Sequence, residues 1–238
     1  MPFVARPLWV VALAPTLQPH KARDRSLLKE YKMQRLFLPV LMAIAPLSYA
    51  ADETRELPGF SAIASQGAYR LVVTAGQKQS VVVSGDEGTL SKLMTKVVDN
   101  ELVISMPDSK GFKFSDRTTI SIGVPELSKF RMEGAGRTEL HNLAGENFQL
   151  NFQGVGSLHA DGKVQRFVLN GEGVGSLNAR DLDAQYVHVT LQGVGSAKVR
   201  ASNTLMAKLE GVGSLTYYGR PVHVTKSVDG VGSIRAGD

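Results

Sequence analysis

The sequence contains no cysteine. That excludes disulfides, thiolate metal sites, thiol catalysis and a lipid-modified N-terminal cysteine. Tryptophan is nearly absent, its single copy being Trp9. Residues 51–238 also lack an excess of either charge. The net charge of +5 belongs wholly to residues 1–50, where Arg6, Lys21, Arg23, Arg25, Lys29, Lys32 and Arg35 face only Asp24 and Glu30; the rest of the chain holds 20 groups of each sign. No basic stripe interleaved with aromatics is present, so nucleic acid is excluded as a partner. No segment is long and apolar enough to be a membrane-spanning helix.

The nearest approach to one is the twelve-residue run LFLPVLMAIAPL at 36–47. Lys32 and Arg35 precede it and Ser48-Tyr49-Ala50 follows it. A positive segment, a short apolar segment and a small-residue end read as a secretory signal peptide over 33–50, with cleavage predicted after Ala50. A signal peptide starts close to its initiator, so Met33 is the expected start and residues 1–32 an over-extended, disordered leader. The mature chain is expected to be exported, to the periplasm or outside the cell.

What is abundant is glycine, with all 24 copies after residue 50. Gly-Val-Gly-Ser occurs five times: Gly154, Gly156, Ser157; Gly173, Gly175, Ser176; Gly193, Gly195, Ser196; Gly211, Gly213, Ser214; and Gly230, Gly232, Ser233. A degenerate copy, Gly134-Ala135-Gly136-Arg137, precedes them, and the first glycines are spaced 20, 19, 20, 18 and 19 residues apart. A fixed period near twenty marks a solenoid. Numbered from the first glycine, positions −6, −4 and −2 read Phe148, Leu150, Phe152, then Val187, Val189, Leu191, then Leu205, Ala207, Leu209. Positions +4 and +6 read Leu158 and Ala160, Leu177 and Ala179, Ala197 and Val199. This period of two predicts strands with one buried face. A third apolar position near +9 or +10 (Leu143, Val164, Leu182) gives each repeat three sides, with length differences absorbed in the short side, where Asp161-Gly162-Lys163 reads as a turn. Serines and valines then form columns; whether Val155 and its equivalents face core or solvent is left open by the alternation, because a bend can reset it. Lys226 at an inward position of the last repeat suits an open end.

Residues 51–132 lack the signature but are strand-like at 70–74, 80–84, 101–106 and 118–124. Leu90, Leu93, Met94 and Val97 fall at helical spacing and predict one short helix. Asp99-Asn100 reads as a turn. The expected organisation is one domain over 51–238, with 56–132 an irregular N-terminal part and 133–238 the repeats.

The order Glu56-Leu57-Pro58-Gly59-Phe60-Ser61-Ala62-Ile63, then Val81-Val82-Val83-Ser84-Gly85-Asp86, then Glu101-Leu102-Val103-Ile104, followed by tandem glycine-serine coils, resembles the secreted bacterial head GIN domain family, labelled putative autotransporter adhesins. The resemblance covers nearly all of 55–238. It implies an all-β, right-handed parallel β-helix-like solenoid of 18–20-residue coils. It implies no reaction. An outer-membrane translocator barrel is not expected within residues 51–238.

Chemistry is sparse. His141, His159, His188 and His223 sit on different coils with no short ligand spacing, so no metal is expected and the histidines read as surface groups. The repeat serines are equivalent by period, whereas a nucleophile needs one unique site with an oriented base. No cofactor is called for. Asp161, Asp181 and Asp183 lie near the short side of neighbouring coils and are the candidates for a carbohydrate-active cluster, against which they read as turn residues. Three functions follow in order: an exported non-catalytic binding or adhesion module with a glycan or surface protein as partner; a structural or assembly protein of the envelope that forms homo-oligomers; and a carbohydrate-active enzyme. The second is suggested by Gln149, Asn151, Gln153 and Gln192 beside the valines.

Overall fold

The structure, a computed structural model, describes residues 51–106 and 118–237. The expected leader and signal peptide lie outside these residues. The described chain is mostly β, with one short helix: β1 (Ala51–Thr54), β2 (Ala62–Ala75), β3 (Ser80–Gly85), α1 (Glu87–Leu90), β4 (Met94–Val98), β5 (Glu101–Ser105), β6 (Thr119–Val124), β7 (Lys129–Tyr218) and β8 (His223–Ala236).

β2 is the hinge of the architecture. On one side its two halves pair in parallel with β5 (from Ala62↔Glu101) and with β6 (from Arg70↔Thr119). On the other side its length pairs in parallel with the start of β7, from Ala62↔Lys129 to Thr74↔His141. β3 adds antiparallel to β6, β1 to β3, and β4 to β5, which completes a mixed sheet. β8 pairs in parallel with the end of β7, from Thr204↔His223 to Tyr217↔Ala236, in a register that sets Gly211 on Gly230 and Gly213 on Gly232.

Inward positions explain why these segments hold together. Phe130, Phe148, Phe167, Leu150, Leu169, Val189 and Leu205 are fully or almost fully buried. Phe148 and Phe167 are stacked, 5.9 Å between ring centroids. Each such side chain contributes about 1.5–3 kcal/mol by leaving water. The alternation read from the sequence is the observed burial pattern, because the side-chain period of a strand is two.

One expected element differs. The helical spacing of Leu90, Leu93, Met94 and Val97 is divided between a helix and a strand. α1 ends at Leu90; Asp86 caps it, its carboxylate accepting from the Thr89 amide at 3.0 Å. Residues 94–98 are β4, and Met94 is exposed. β-branched Thr95, Val97 and Val98 favour a strand. Asp99 (φ 49°) and Asn100 (φ 63°) then close a two-residue hairpin onto β5, a geometry that needs positive φ at both positions.

Length differences between repeats are also placed. His141 meets Asp161 at a separation of 20, whereas Leu143 lies under Gly162 at a separation of 19. The extra residue is Asn142, at φ 57°. Arg180 meets Arg200 at a separation of 20, and Gln192 meets Glu210 at 18. Both adjustments fall in the stretch following the glycines. Asp161-Gly162-Lys163 itself lies within β7 rather than in a turn, with Gly162 at φ 132°.

Candidate functional site

The repeat glycines stack directly. A Cβ on Gly154 would lie 1.9 Å from the carbonyl oxygen of Gly134, one on Gly173 2.1 Å from Gly154 O, one on Gly193 2.1 Å from Gly173 O, one on Gly211 2.3 Å from Gly193 O and one on Gly230 2.1 Å from Gly211 O. The second glycines repeat this, with Gly156 over Gly136, Gly175 over Gly156, Gly195 over Gly175, Gly213 over Gly195 and Gly232 over Gly213. The column extends back to β2: Gly134 sits on Gly67. At the second glycine position β2 instead carries Tyr69, whose phenol is buried and shares a 2.8 Å hydrogen bond with Ser65. Burial pushes that phenol far up, against the smaller opposing pull of its bonds to Ser65 and Gln66.

The glycines do not reset the alternation. Val155 (57% exposed), Val174 (49%), Val194 (51%), Val212 (50%) and Val231 (72%) all face solvent. Beside them at position −1 runs an amide–carboxylate ladder: Gln66 donates to Glu133 (3.1 Å), Gln153 to Glu172 (2.9 Å) and Gln192 to Glu210 (2.5 Å). Neighbouring Asn170 donates to Asn151 at 2.9 Å. On the other side stand the serines, where the Ser196 hydroxyl donates to that of Ser176 at 3.4 Å.

Beyond the serines three successive rungs form a hollow of about 300 Å³. It is lined by Arg137 and Glu139, Ser157 and His159, and Ser176 and Asn178, with Thr138 and Leu158 buried behind them. Next to it lies a polar cluster the sequence did not reveal as one. His141 Nδ1 is 2.6 Å from Asp161 Oδ2, His159 Nε2 is 3.8 Å from the same oxygen, and the Asn142 amide donates to Asp161 Oδ1 at 2.8 Å. His141 Nε2 is 3.6 Å from Glu139, which also receives Arg70 at 2.8 Å. Partial burial pushes the Asp161 carboxyl up; the Asn142 amide, the His141 bond and the charges of the two histidines outweigh it, and the net shift is downward. The 20-residue separation of His141 and Asp161 equals the local repeat, which is the signal that could have paired them.

Of the three aspartates weighed as a cluster, two are engaged separately. Asp161 is held by the preceding rung, and Asp183 lies 3.4 Å from Arg200 of the following rung. Among the described residues no group of three His, Asp or Glu side chains is placed to hold a metal ion. A second hollow of about 580 Å³ lies by the β4–β5 hairpin, near Lys96, Asp99, Asn100 and Lys129; of its two carboxylates, that of Glu101 accepts from Arg131 at 2.8 and 3.0 Å.

A family profile described as "Putative auto-transporter adhesin, head GIN domain" matches residues 59–221. The chain belongs to the head GIN domain family. The match takes in β2 to the end of β7 and stops before β8. Among solved structures, this head GIN domain is similar to a putative adhesin from Bacteroides fragilis NCTC 9343, at 25% identity and a TM-score of 0.67, covering 80% of this chain and 98% of that one. It is also similar to a putative adhesin from Parabacteroides merdae ATCC 43184 (13% identity, TM-score 0.46, covering 81% and 98%) and to a putative lipid binding protein from Parabacteroides distasonis ATCC 8503 (20%, TM-score 0.43, 81% and 98%). No curated protein matches the chain. Among the described residues no helix is long and apolar enough to cross a membrane.

Proposed function

We propose that this head GIN domain is an exported, non-catalytic adhesion module whose outward columns bind a glycan or a surface protein. Its residues 51–238 wind as one right-handed β-solenoid, with the glycine and serine positions of the repeat serving structure and spacing. The column contacts at separations of 18–20 residues and the parallel pairing of β2 and β8 with β7 support the winding. One observation carries the binding role: the hollow lined by Arg137, Glu139, Ser157, His159, Ser176 and Asn178. These side chains project outward at spacings set by the strand, about 6.6 Å along a rung and about 4.8 Å between rungs. They offer hydroxyl, amide, imidazole, guanidinium and carboxylate groups to a polyhydroxylated ligand, and a volume near 300 Å³ suits a single sugar unit. Stacked rungs hold the array rigid before a ligand arrives.

The test is a glycan array of neutral and acidic sugars probed with the purified chain and with an Arg137→Ala/His159→Ala/Asn178→Ala variant. Retention of a sugar class by the parent, and its loss by at least tenfold in the variant at unchanged circular dichroism, is expected. An array with no bound sugar would remove the glycan reading. A second reading, self-association in the envelope, is favoured by one observation, the exposed valine column.

A further inference from the structure

Val155, Val174, Val194, Val212 and Val231 stand one per rung on five consecutive rungs, each about half exposed or more. Single exposed valines are ordinary surface. These five are aligned, and on each rung their outward neighbours are the polar side chain of position −1 and the small serine of position +3. At about 4.8 Å per rung the ridge runs for about 19 Å.

The ridge also separates charge. On its −1 and −3 side the same five rungs carry Glu172, Glu210 and Asp229 against one cation, Lys208, which is ion-paired to Glu210. On its +5 and +7 side they carry Arg180, Lys198, Arg200 and Arg235 against one carboxylate at those positions, Asp161, with Arg200 also ion-paired to Asp183. Between the ridge and the basic side stand only the small serines of position +3.

We propose that the valine ridge is an interface between two copies of this chain, packed ridge on ridge about a two-fold axis parallel to the ridge. That axis exchanges the two flanks, so the acidic side of each copy lies against the basic side of the other along both margins. A two-fold axis across the ridge would set acid against acid and base against base. The charges therefore select the parallel arrangement, in which every valine meets its own counterpart. The contact area, about five rungs by five residues from each copy, comes to about 800 Å² in total, below the about 1,200 Å² of stable specific interfaces, so the dimer is a weak, transient one. This inference rests on the self-association reading and is independent of the glycan hollow.

The absence of cysteine makes the test clean. Val155→Cys, Val194→Cys and Val231→Cys are made singly in the full chain, with Lys163→Cys as an exposed control off the ridge, and each is oxidised at about 100 μM. A disulfide needs Cα atoms within about 7 Å, far less than the about 19 Å between the ends of the ridge. The parallel dimer crosslinks all three ridge variants at least tenfold faster than the control. Crosslinking of Val194→Cys alone would mean antiparallel ridges and would overturn the proposal, as would equal rates at all four sites. Charge supplies a second arm: Glu172→Lys/Glu210→Lys weakens association about tenfold at low salt, and adding Lys198→Glu/Arg200→Glu restores it. If the parent stays monomeric in sedimentation while Val194→Asp abolishes binding on the glycan array, the ridge belongs to the ligand and self-association is refuted.

Discussion

Gly193 shows what a single residue decides here. It holds φ 133°, and a Cβ there would lie 2.1 Å from the carbonyl oxygen of Gly173 in the rung before. Backbone cannot retreat as a side-chain tip can, so Gly193→Ala is expected to cost more than about 3 kcal/mol in urea unfolding. Gly171 is the contrasting case. It occupies the inward −2 position where neighbouring rungs carry Phe152, Leu191 and Leu209, and beside it is a gap of about 30 Å³. A Cβ there would meet only the tips of Leu177 and Leu191, both at 3.0 Å, and no positive φ opposes it. Gly171→Ala should therefore stabilise by about 0.5–1 kcal/mol, read by the same titration. Equal destabilisation by both substitutions would contradict the packing described.

Asp161 sets the pH response at this scale. Its folded pKa is depressed, so its contribution is fully present above the unfolded value near 3.9 and is lost as pH falls through the lower folded value. Asp161→Asn removes the anion that receives the Asn142 amide and the His141 ring. The expected loss is about 1–2 kcal/mol at pH 7, shrinking as pH falls below the unfolded value near 3.9, measured as the variant-minus-parent difference in unfolding free energy across pH 2–7.

Among elements, legibility followed periodicity. The buried faces of β7 were readable because positions −6, −4, −2, +4 and +6 repeat the same residue class in rung after rung, and hydrophobic burial obeys that pattern. Even the degenerate Gly134–Arg137 copy was in register with Gly154. What could not be read was cross-rung chemistry. His141 and Asp161 meet although 20 residues, one repeat, separate them, and nothing local to either residue signals it. The outward sense of the valines needed the backbone itself, since only φ and ψ decide whether a glycine bend inverts the faces. α1 and β4 were merged for a similar reason: helical spacing over eight residues can arise where a helix end and a strand adjoin, and the Asp99-Asn100 hairpin was the overriding local signal. That hairpin, a turn in the sequence reading, is a turn in the structure.

Elements also differ in protection. β7 is bonded from both sides along its interior rungs, while β8 is bonded only to β7. Its inward-register Val224 and Val228 are 39% and 44% exposed, against 0–5% for Leu205, Ala207 and Leu209 one rung earlier. Lys226 at this end lies 4.5 Å from the ring centroid of Tyr217, a cation–π contact that keeps its charge at the open side of the rung. Hydrogen exchange should find β8 amides opening about 10²–10⁴ times more readily than those around Leu150 and Leu169. Uniform protection through β8 would mean that something covers this rung in solution.

At the scale of the molecule, both the polar hollow and the valine ridge exist only if successive rungs stay aligned in columns. The chain belongs to the head GIN domain family, and its outward columns present side chains repeated at fixed intervals over a buried core. The direct check is a distance between two positions of one column. Ser157→Cys/Ser233→Cys in this cysteine-free chain, spin-labelled and measured by double electron–electron resonance, spans four rungs. Stacked rungs place the two Cα atoms about 19 Å apart, with a single narrow distribution once label linkers are included. A broad distribution, or one centred beyond about 40 Å, would contradict the columns and with them both surfaces proposed for binding.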